Sequence, residues 1–165
     1  LPQLAVGEGT KPGSFEPFGP LASHLRYTER SSRKLARSTF YAMGRWQAGL
    51  EKRQAFLGRI VDIGAELFAI SSAVVYADTI KTEHPERAQQ AIELADLFCT
   101  QARRRSEQLF HDLWANDDTK SYQAAQRVLD GRYTWLEEGV ADPAERESGE
   151  TVAGQPVPGE PVTPG

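Results

Sequence analysis

Hydrophobic residues recur at steps of three and four positions through most of this chain, a spacing typical of amphipathic helices. The clearest segment covers residues 54–77, QAFLGRIVDIGAELFAISSAVVYA, where apolar and small side chains fill one stripe. Similar stripes occur once before this segment and twice after it. Since almost no alternating strand pattern is present, the sequence predicts an all-α fold with four helices.

The helix boundaries are marked by proline and glycine. Pro20 suits a first helical turn, Gly44 and Gly49 weaken the end of helix 1, and Pro85 separates helix 2 from helix 3. We predict an antiparallel up-down four-helix bundle in which all four stripes face inward. The stripes are Leu21, Leu25, Leu35, Thr39, Met43 and Trp46 in helix 1; Leu57, Ile60, Val61, Gly64, Leu67, Phe68, Ser71, Val74 and Val75 in helix 2; Ala88, Ala91, Ile92, Ala95, Phe98, Cys99, Ala102, Leu109, Phe110 and Leu113 in helix 3; and Tyr122, Ala125, Leu129, Arg132 or Tyr133, and Leu136 in helix 4.

Helix 2 is expected to be the central helix. Gly64 and Ser71 would let a neighbouring helix approach closely, so Gly64→Leu is expected to destabilise the bundle by overpacking. Arg59, Asp62 and Glu66 interrupt the apolar run, which argues against a membrane-spanning segment. We expect these three charges to lie away from the inward stripe or at its margin.

The two ends of the chain have a different composition. The first twenty residues hold four prolines and four glycines, and we predict a disordered linker over residues 1–19. Residues 142–165 are rich in Pro, Gly, Glu and Thr, so we predict a disordered tail there. The helical bundle is assigned to residues 20–141. Position 1 is Leu and no signal peptide is recognisable, so the chain is interpreted as a piece of a longer polypeptide.

Charge and cysteine content narrow the function classes. The chain has 165 residues and a formal net charge of −4, which gives no electrostatic reason to expect nucleic acid binding. Cys99 is the single cysteine, so no internal disulfide can form, which fits a reducing cytoplasm. It lies on an apolar stripe and is interpreted as buried and inert.

Candidate chemistry is sparse. Asp62 and Glu66 are spaced for acid–base work or half of a metal site, but no Glu-x-x-His partner exists, so an ion-paired or solvated face is the alternative we favour. His24, His84 and His111 stand in separate segments. The run Arg103, Arg104 and Arg105 could bind a phosphate or an acidic partner, but a solvated face is the interpretation we favour. We assign no catalytic, cofactor-binding or metal-binding residue.

One basic face is a candidate contact for an anionic surface. Arg30, Lys34 and Arg37 are spaced to share one side of helix 1, with Phe40 and Trp46 nearby. Such a face suits anionic lipid headgroups or another acidic surface. An ordinary solvated surface is the alternative.

The residues from position 44 to position 110 resemble the C-terminal helical domain of very-long-chain-type acyl-CoA dehydrogenases and their bacterial relatives. The similarity, which we extend to about residues 21–140, consists of a spaced pattern in helix 2, a His-Pro break and a cysteine-containing helix. Its matching positions are Gln54, Leu57, Arg59, Ile60, Asp62, Glu66, Leu67, Phe68, Ala69, His84, Pro85 and Cys99. The segment RQAFLG, residues 53–58, is also similar to a flavin-contacting piece of that family's core, but Leu57 separates Phe56 from Gly58 and displaces the glycine around the helix.

The resemblance implies a domain appended to a catalytic core of the same polypeptide. That core would carry FAD, the acyl-CoA tunnel and the catalytic glutamate, and the enzyme would be a homodimer that oxidises long-chain acyl-CoA in fatty-acid β-oxidation. The appended domain would stabilise the core or the dimer. The expected location is cytoplasmic, with peripheral contact at the inner face of the membrane. The alternative is a freestanding helical protein-interaction module without enzymatic activity.

Overall fold

The computed structural model describes residues 15–137, and these form helices and turns with no strand. The α-helices are α1 (Ala22–Trp46), α2 (Gln54–Glu83), α3 (Ala88–Asp112) and α4 (Asp118–Leu129). Short 3₁₀ helices cover Glu16–Leu21, Gln47–Lys52, Pro85–Arg87 and Thr134–Glu137. The predicted all-α class is therefore confirmed. Residues 1–14 of the predicted linker, residues 138–141 and the predicted tail 142–165 lie outside the described residues.

Two of the predicted breaks are observed. α1 ends at Trp46, and the next residue, Gln47, has a φ of +47° and begins a 3₁₀ helix. His84 and Pro85 separate α2 from α3 as the sequence indicated, because proline cannot continue a helix. The last residues of the predicted linker belong to the 3₁₀ helix Glu16–Leu21, which turns at Gly19, φ +53°.

The chain divides between Asp118 and Thr119 into two compact units. In the first unit α2 packs along both α1 and α3. Cys99 of α3 lies against the carbonyl group of Ile70 in α2, and Arg105 lies against Glu66. Later positions of α3 thus meet earlier positions of α2, so these two helices run in opposite directions. His24 of α1 contacts Asp96 of α3, and Tyr27 contacts Ser106, so later positions of α1 meet later positions of α3. These two helices therefore run in the same direction.

The core of the first unit lies between these three helices. Its α2 contribution repeats every seven residues, and each fully buried aliphatic side chain stabilises the fold by about 1.5–3 kcal/mol. The buried hydrophobic residues are Leu21, Ala22, Leu25, Tyr27, Ala42, Phe56, Ile63, Leu67, Ile70, Val74, Ala77, Ala95, Cys99, Ala102, Phe110 and Leu113. Predicted core positions in all three helices, among them Leu25, Leu67 and Cys99, are thereby confirmed.

The predicted inward stripe of α2 is wrong in part. Val61, Phe68 and Val75 are exposed, and Phe68 keeps 75% of its surface accessible. Each of these residues precedes a buried residue of the Ile63–Ile70–Ala77 row by two positions. A separation of two positions corresponds to a rotation of about 200° around the helix axis. Because α2 is apolar on both sides, its sequence pattern does not indicate which side faces the core. In α3 the predicted inward residue Phe98 is likewise exposed.

Gly64 does not mark a close approach of two helices. A Cβ atom built at Gly64 meets nothing within 4 Å, so room exists there for a side chain. The expected overpacking by Gly64→Leu therefore has no structural basis at the Cβ position. Met43, predicted inward in α1, is also exposed, and its neighbour Ala42 is the buried residue.

The inner side of α1 is more polar than the sequence analysis predicted. His24 is buried, and its Nε2 lies 2.9 Å from Asp96 Oδ1. Tyr27 and Ser106 share a buried hydrogen bond of 2.8 Å between their hydroxyl groups. These pairs satisfy polar groups that would otherwise be costly to bury between α1 and α3.

The second unit, within its described residues, holds α4 from Thr119 onward and the 3₁₀ helix Thr134–Glu137. The sequence predicted one helix continuing to Leu136, but α4 ends at Leu129. Gly131 takes φ +72°, and the N–H of Arg132 donates to the carbonyl of Arg127 at 3.0 Å, an arrangement that ends a helix. Tyr122, Leu129 and Leu136 are exposed. The up-down arrangement of four helices stays a prediction.

By length and composition α2 is long and apolar enough to cross a membrane. A single helix of this kind within the described residues is weak evidence for a span, since core helices share these properties. Three contacts support a core helix: the buried row packs on α1 and α3, Arg59 is paired with Asp118, and Glu66 is paired with Arg105.

Candidate interaction surfaces

An apolar surface on α2 and α3 stands out among the exposed side chains. On α2 it comprises the row Val61, Phe68 and Val75, and between α2 and α3 it continues as a groove. We name this set the α2–α3 apolar surface: Val61, Ala65, Phe68, Ala69, Ala73, Val75, Tyr76, Leu94 and Phe98. Successive residues of a helix are 100° apart around its axis, which places Ala65 and Ser72 between the Val61 row and the residues of the groove. The surface is therefore continuous around this side of α2.

Phe98 separates the groove into two shallow hollows. The first is lined chiefly by Ala65, Ala69 and Phe98, and the second by Ala73, Tyr76 and Leu94 together with Phe98. Small alanine side chains alternate with large aromatic rings, so the surface has depressions and projections. Contiguous apolar surfaces with such relief mark interaction sites more often than solvated faces.

A polar pair, Glu66 and Arg105, lies at the edge of the first hollow. Arg105 donates from Nε and Nη2 to the two carboxylate oxygens of Glu66, at 2.6 and 3.0 Å. This pair raises the pKa of Arg105 through the hydrogen bond to Glu66. The expected ion-paired role of Glu66 is thus observed, while Asp62 is exposed beside the same hollow.

The predicted basic residues share a second surface, the α1–α3 basic groove. Arg30, Lys34 and Arg37 are exposed and line it together from α1. α3 adds Arg103 and Glu107, and Tyr27, Ser31 and Phe110 complete the lining. The sequence places Arg103 only within its own run of three arginines. Its grouping with the α1 cations was missed, because that grouping depends on how the two helices pack.

Aromatic rings hold two of these cations. The Lys34 ammonium lies 4.2 Å from the centroid of the Phe110 ring, and the Arg103 guanidinium lies 4.7 Å from that of Tyr27. Such cation–π contacts restrict the side chains to the groove. Trp46, expected beside the basic face, packs elsewhere: its ring is 4.8 Å from Phe56 and 5.8 Å from Trp114.

Phe56 lies inside this aromatic cluster and is 3% exposed. It belongs to the RQAFLG segment that is similar to a flavin-contacting piece of a dehydrogenase core. Because its ring packs between Trp46 and Trp114, it is not available to a flavin. The Phe56 ring thus contributes to the aromatic packing of the first unit.

The remaining titratable candidates are dispersed. Burial raises the pKa of the Cys99 thiol to about 11, which keeps it protonated and unreactive at neutral pH. His24 pairs with Asp96, whereas His84 and His111 are exposed beside Glu86 and Asp112 respectively. Among residues 15–137 no group of three His, Cys, Asp or Glu side chains is placed to hold a metal ion.

Comparison with known proteins gives one relationship. The chain is 59% identical over 145 residues to proteins described as "Probable acyl-CoA dehydrogenase FadE10" from Mycobacterium bovis and from two strains of Mycobacterium tuberculosis. The match covers 88% of this chain and lies in the C-terminal part of the relatives. The resemblance to acyl-CoA dehydrogenases is confirmed.

The same comparison sets the extent of the similarity. The chain spans 22% of the length of these curated relatives, so most of each relative has no counterpart in the present sequence. No family model matches the chain. No solved structure matches it either.

Proposed function

We propose that this chain is the C-terminal auxiliary domain of an FAD-dependent acyl-CoA dehydrogenase that acts on long-chain substrates in fatty-acid β-oxidation. The observation that carries this proposal is the 59% identity to the C-terminal part of a probable acyl-CoA dehydrogenase. In this function the parent polypeptide removes hydrogen across the α,β bond of an acyl-CoA. The present segment contributes binding and stability and no catalytic residue.

The α2–α3 apolar surface supplies the contact that this function needs. Phe68, Val75 and Leu94 are more than half exposed, although a lone domain gains stability by burying such groups. A neighbouring domain that covers them would remove apolar area from water and strengthen both folds. The partner proposed here is the catalytic core of the same polypeptide, with stabilisation of that core or of a homodimer as the result.

FAD and the acyl-CoA would be held by that core. The proposal rests on the family, since Phe56, the position in this chain most similar to a flavin contact, is buried among other rings. Flavin would accept hydride from the substrate in the core. The described residues of this chain would act on flavin only indirectly, by holding the core in shape.

We further propose a cytoplasmic enzyme with peripheral contact at the inner face of the membrane. Arg30, Lys34 and Arg37 are exposed cations on one helix, which supports attraction to an acidic surface. The competing function is a freestanding helical interaction module. It would use the same apolar surface for a separate protein partner and would carry no flavin.

The decisive experiment isolates the native protein from its source with an antibody to this chain. The intact mass and the visible absorption spectrum are then recorded. A yellow protein far heavier than 18.3 kDa, whose flavin bands bleach on adding a long-chain acyl-CoA, supports the dehydrogenase. A colourless protein of about the chain's own mass would favour the freestanding module.

A variant tests the docking surface in the full native polypeptide. Phe68→Ser with Leu94→Ser removes two exposed side chains of the α2–α3 apolar surface, and Phe40→Ser with Met43→Ser is a control at two exposed apolar positions of α1. We expect the first variant to lose flavin on heating at a lower temperature than wild type, and the control to match wild type. Equal flavin retention in all three proteins would exclude docking through this surface.

A further inference from the structure

The α1–α3 basic groove is built for a compact anion and not only for a charged surface. Four cationic side chains line it, Arg30, Lys34, Arg37 and Arg103, and Glu107 is the one carboxylate of that lining. The chain as a whole carries a net charge of −4, so this local excess of positive charge does not follow from composition. The cluster combines residues from two helices that are distant in sequence.

The cations are oriented before any ligand arrives. Arg103 stacks over Tyr27, whose hydroxyl is held by Ser106 at 2.8 Å in the core. Lys34 lies over Phe110, a residue that is 5% exposed. Since both aromatic rings are fixed by burial, the two cations lose little further freedom on binding, which favours affinity.

The chemistry of the lining indicates a phosphate group. Guanidinium groups match the spacing of phosphate oxygens with paired N–H donors, and an ammonium adds a point charge. Three arginines and one lysine around one groove therefore suit a ligand with two or more negative charges. The groove lies between α1 and α3 and has a volume of about 450 Å³, so a small soluble molecule can reach all four cations. The membrane contact proposed above uses only the exposed Arg30, Lys34 and Arg37 of α1.

We propose that the α1–α3 basic groove is a binding site for a small soluble phosphate-bearing molecule of the pyrophosphate type. This site is separate from the α2–α3 apolar surface. The proposal therefore does not depend on docking of a catalytic core, and failure of one leaves the other standing. Anionic lipid headgroups offer the same phosphate chemistry and are the source that the test has to distinguish.

Isothermal titration of the full chain with sodium pyrophosphate at low salt tests the site. The triple variant Arg30→Gln, Lys34→Gln, Arg37→Gln is compared with Arg26→Gln, Arg45→Gln, Arg104→Gln, which removes the same charge from exposed positions outside the groove lining. We expect saturable binding by wild type and by the control, and weakening of about tenfold or more in the groove variant. Circular dichroism verifies that each variant is folded.

A second variant keeps the test decisive if the triple variant does not fold. Arg103→Gln alone removes the α3 contribution and should also weaken pyrophosphate binding, because the ligand is expected to contact both helices. Binding to lipid is measured in parallel, by cosedimentation of the protein with phosphatidylcholine vesicles that contain phosphatidylserine. Vesicle binding without pyrophosphate binding would overturn the proposal in favour of a lipid surface, and equal weakening in the groove and control variants would overturn it in favour of diffuse charge.

Discussion

Arg59 and Asp118 form a two-pronged ion pair: Nη1 and Nη2 of the arginine each lie 2.7 Å from a different oxygen of the carboxylate. Both side chains are partly buried, with 21% and 30% of their surface exposed. The pair links α2 to the end of the first unit. The guanidinium lowers the pKa of Asp118 through its hydrogen bond, and the carboxylate raises the pKa of Arg59 in turn.

Asp118→Asn should lower the free energy of unfolding by about 1 kcal/mol. A paired, partly buried arginine and carboxylate contribute more than the typical surface pair, and the amide cannot accept both hydrogen bonds. Urea unfolding followed by circular dichroism measures the change. Asp62→Asn is the matched control, since Asp62 is exposed, and it should be neutral; an equal loss in both variants would mean that the ion pair contributes nothing specific.

The same pair predicts a pH dependence of stability. Because the pKa of Asp118 is lower in the folded chain than in the unfolded one, its contribution is complete above the unfolded value of about 3.9. The contribution is lost as the pH falls below that value and through the depressed folded pKa. The difference in unfolding free energy between wild type and Asp118→Asn should therefore shrink in acid. A difference that stays constant down to the acid limit of the fold would contradict this assignment.

Two substitutions in α2 distinguish its buried side from its exposed side. Ile63→Ala should cost about 2–5 kcal/mol, because Ile63 is fully buried and its loss leaves a cavity. Phe68→Ala should change the stability of the isolated chain by about 0.5 kcal/mol or less, although Phe68 is the larger residue. Thermal or urea unfolding of both variants measures this contrast. Similar losses at the two positions would mean that the outward row of α2 is covered in the chain itself.

Cys99 should resist alkylation in the folded chain. Burial raises the pKa of its thiol to about 11, and its Sγ lies 3.7 Å from the carbonyl oxygen of Ile70. Iodoacetamide at pH 8 is expected to modify the urea-unfolded chain fully and the native chain only slowly, with intact mass as the measurement. Rapid modification of the native chain would require α2 and α3 to separate in solution.

The structure shows how far a local pattern can be trusted in this chain. Helix existence, the break at Pro85 and the buried positions Leu67, Val74 and Cys99 could be predicted, because periodicity and proline act within a few residues. The inward position that periodicity predicts for Phe68 is wrong, because Phe68 is exposed. One signal was available: a helix that is apolar all round needs a partner on each side.

The candidate surfaces could likewise be predicted only in part from the sequence. Arg30, Lys34 and Arg37 could be grouped from their spacing on one helix, and the structure brings them into one groove. The sequence could not place Arg103 in this groove, because a run of three arginines does not indicate which helix its members face. Its place depends on the packing of α3 against Tyr27.

By itself, the sequence determined the helical class, the helix breaks and the resemblance to acyl-CoA dehydrogenases, because these depend on short-range spacing and on residue identity. Only the tertiary structure decided which side of α2 is buried, and it alone paired Arg59 with Asp118 and Tyr27 with Ser106. These partners stand 59 and 79 positions apart. A hydrogen bond or a packed side chain requires proximity in space, and no local pattern specifies which distant residue supplies it.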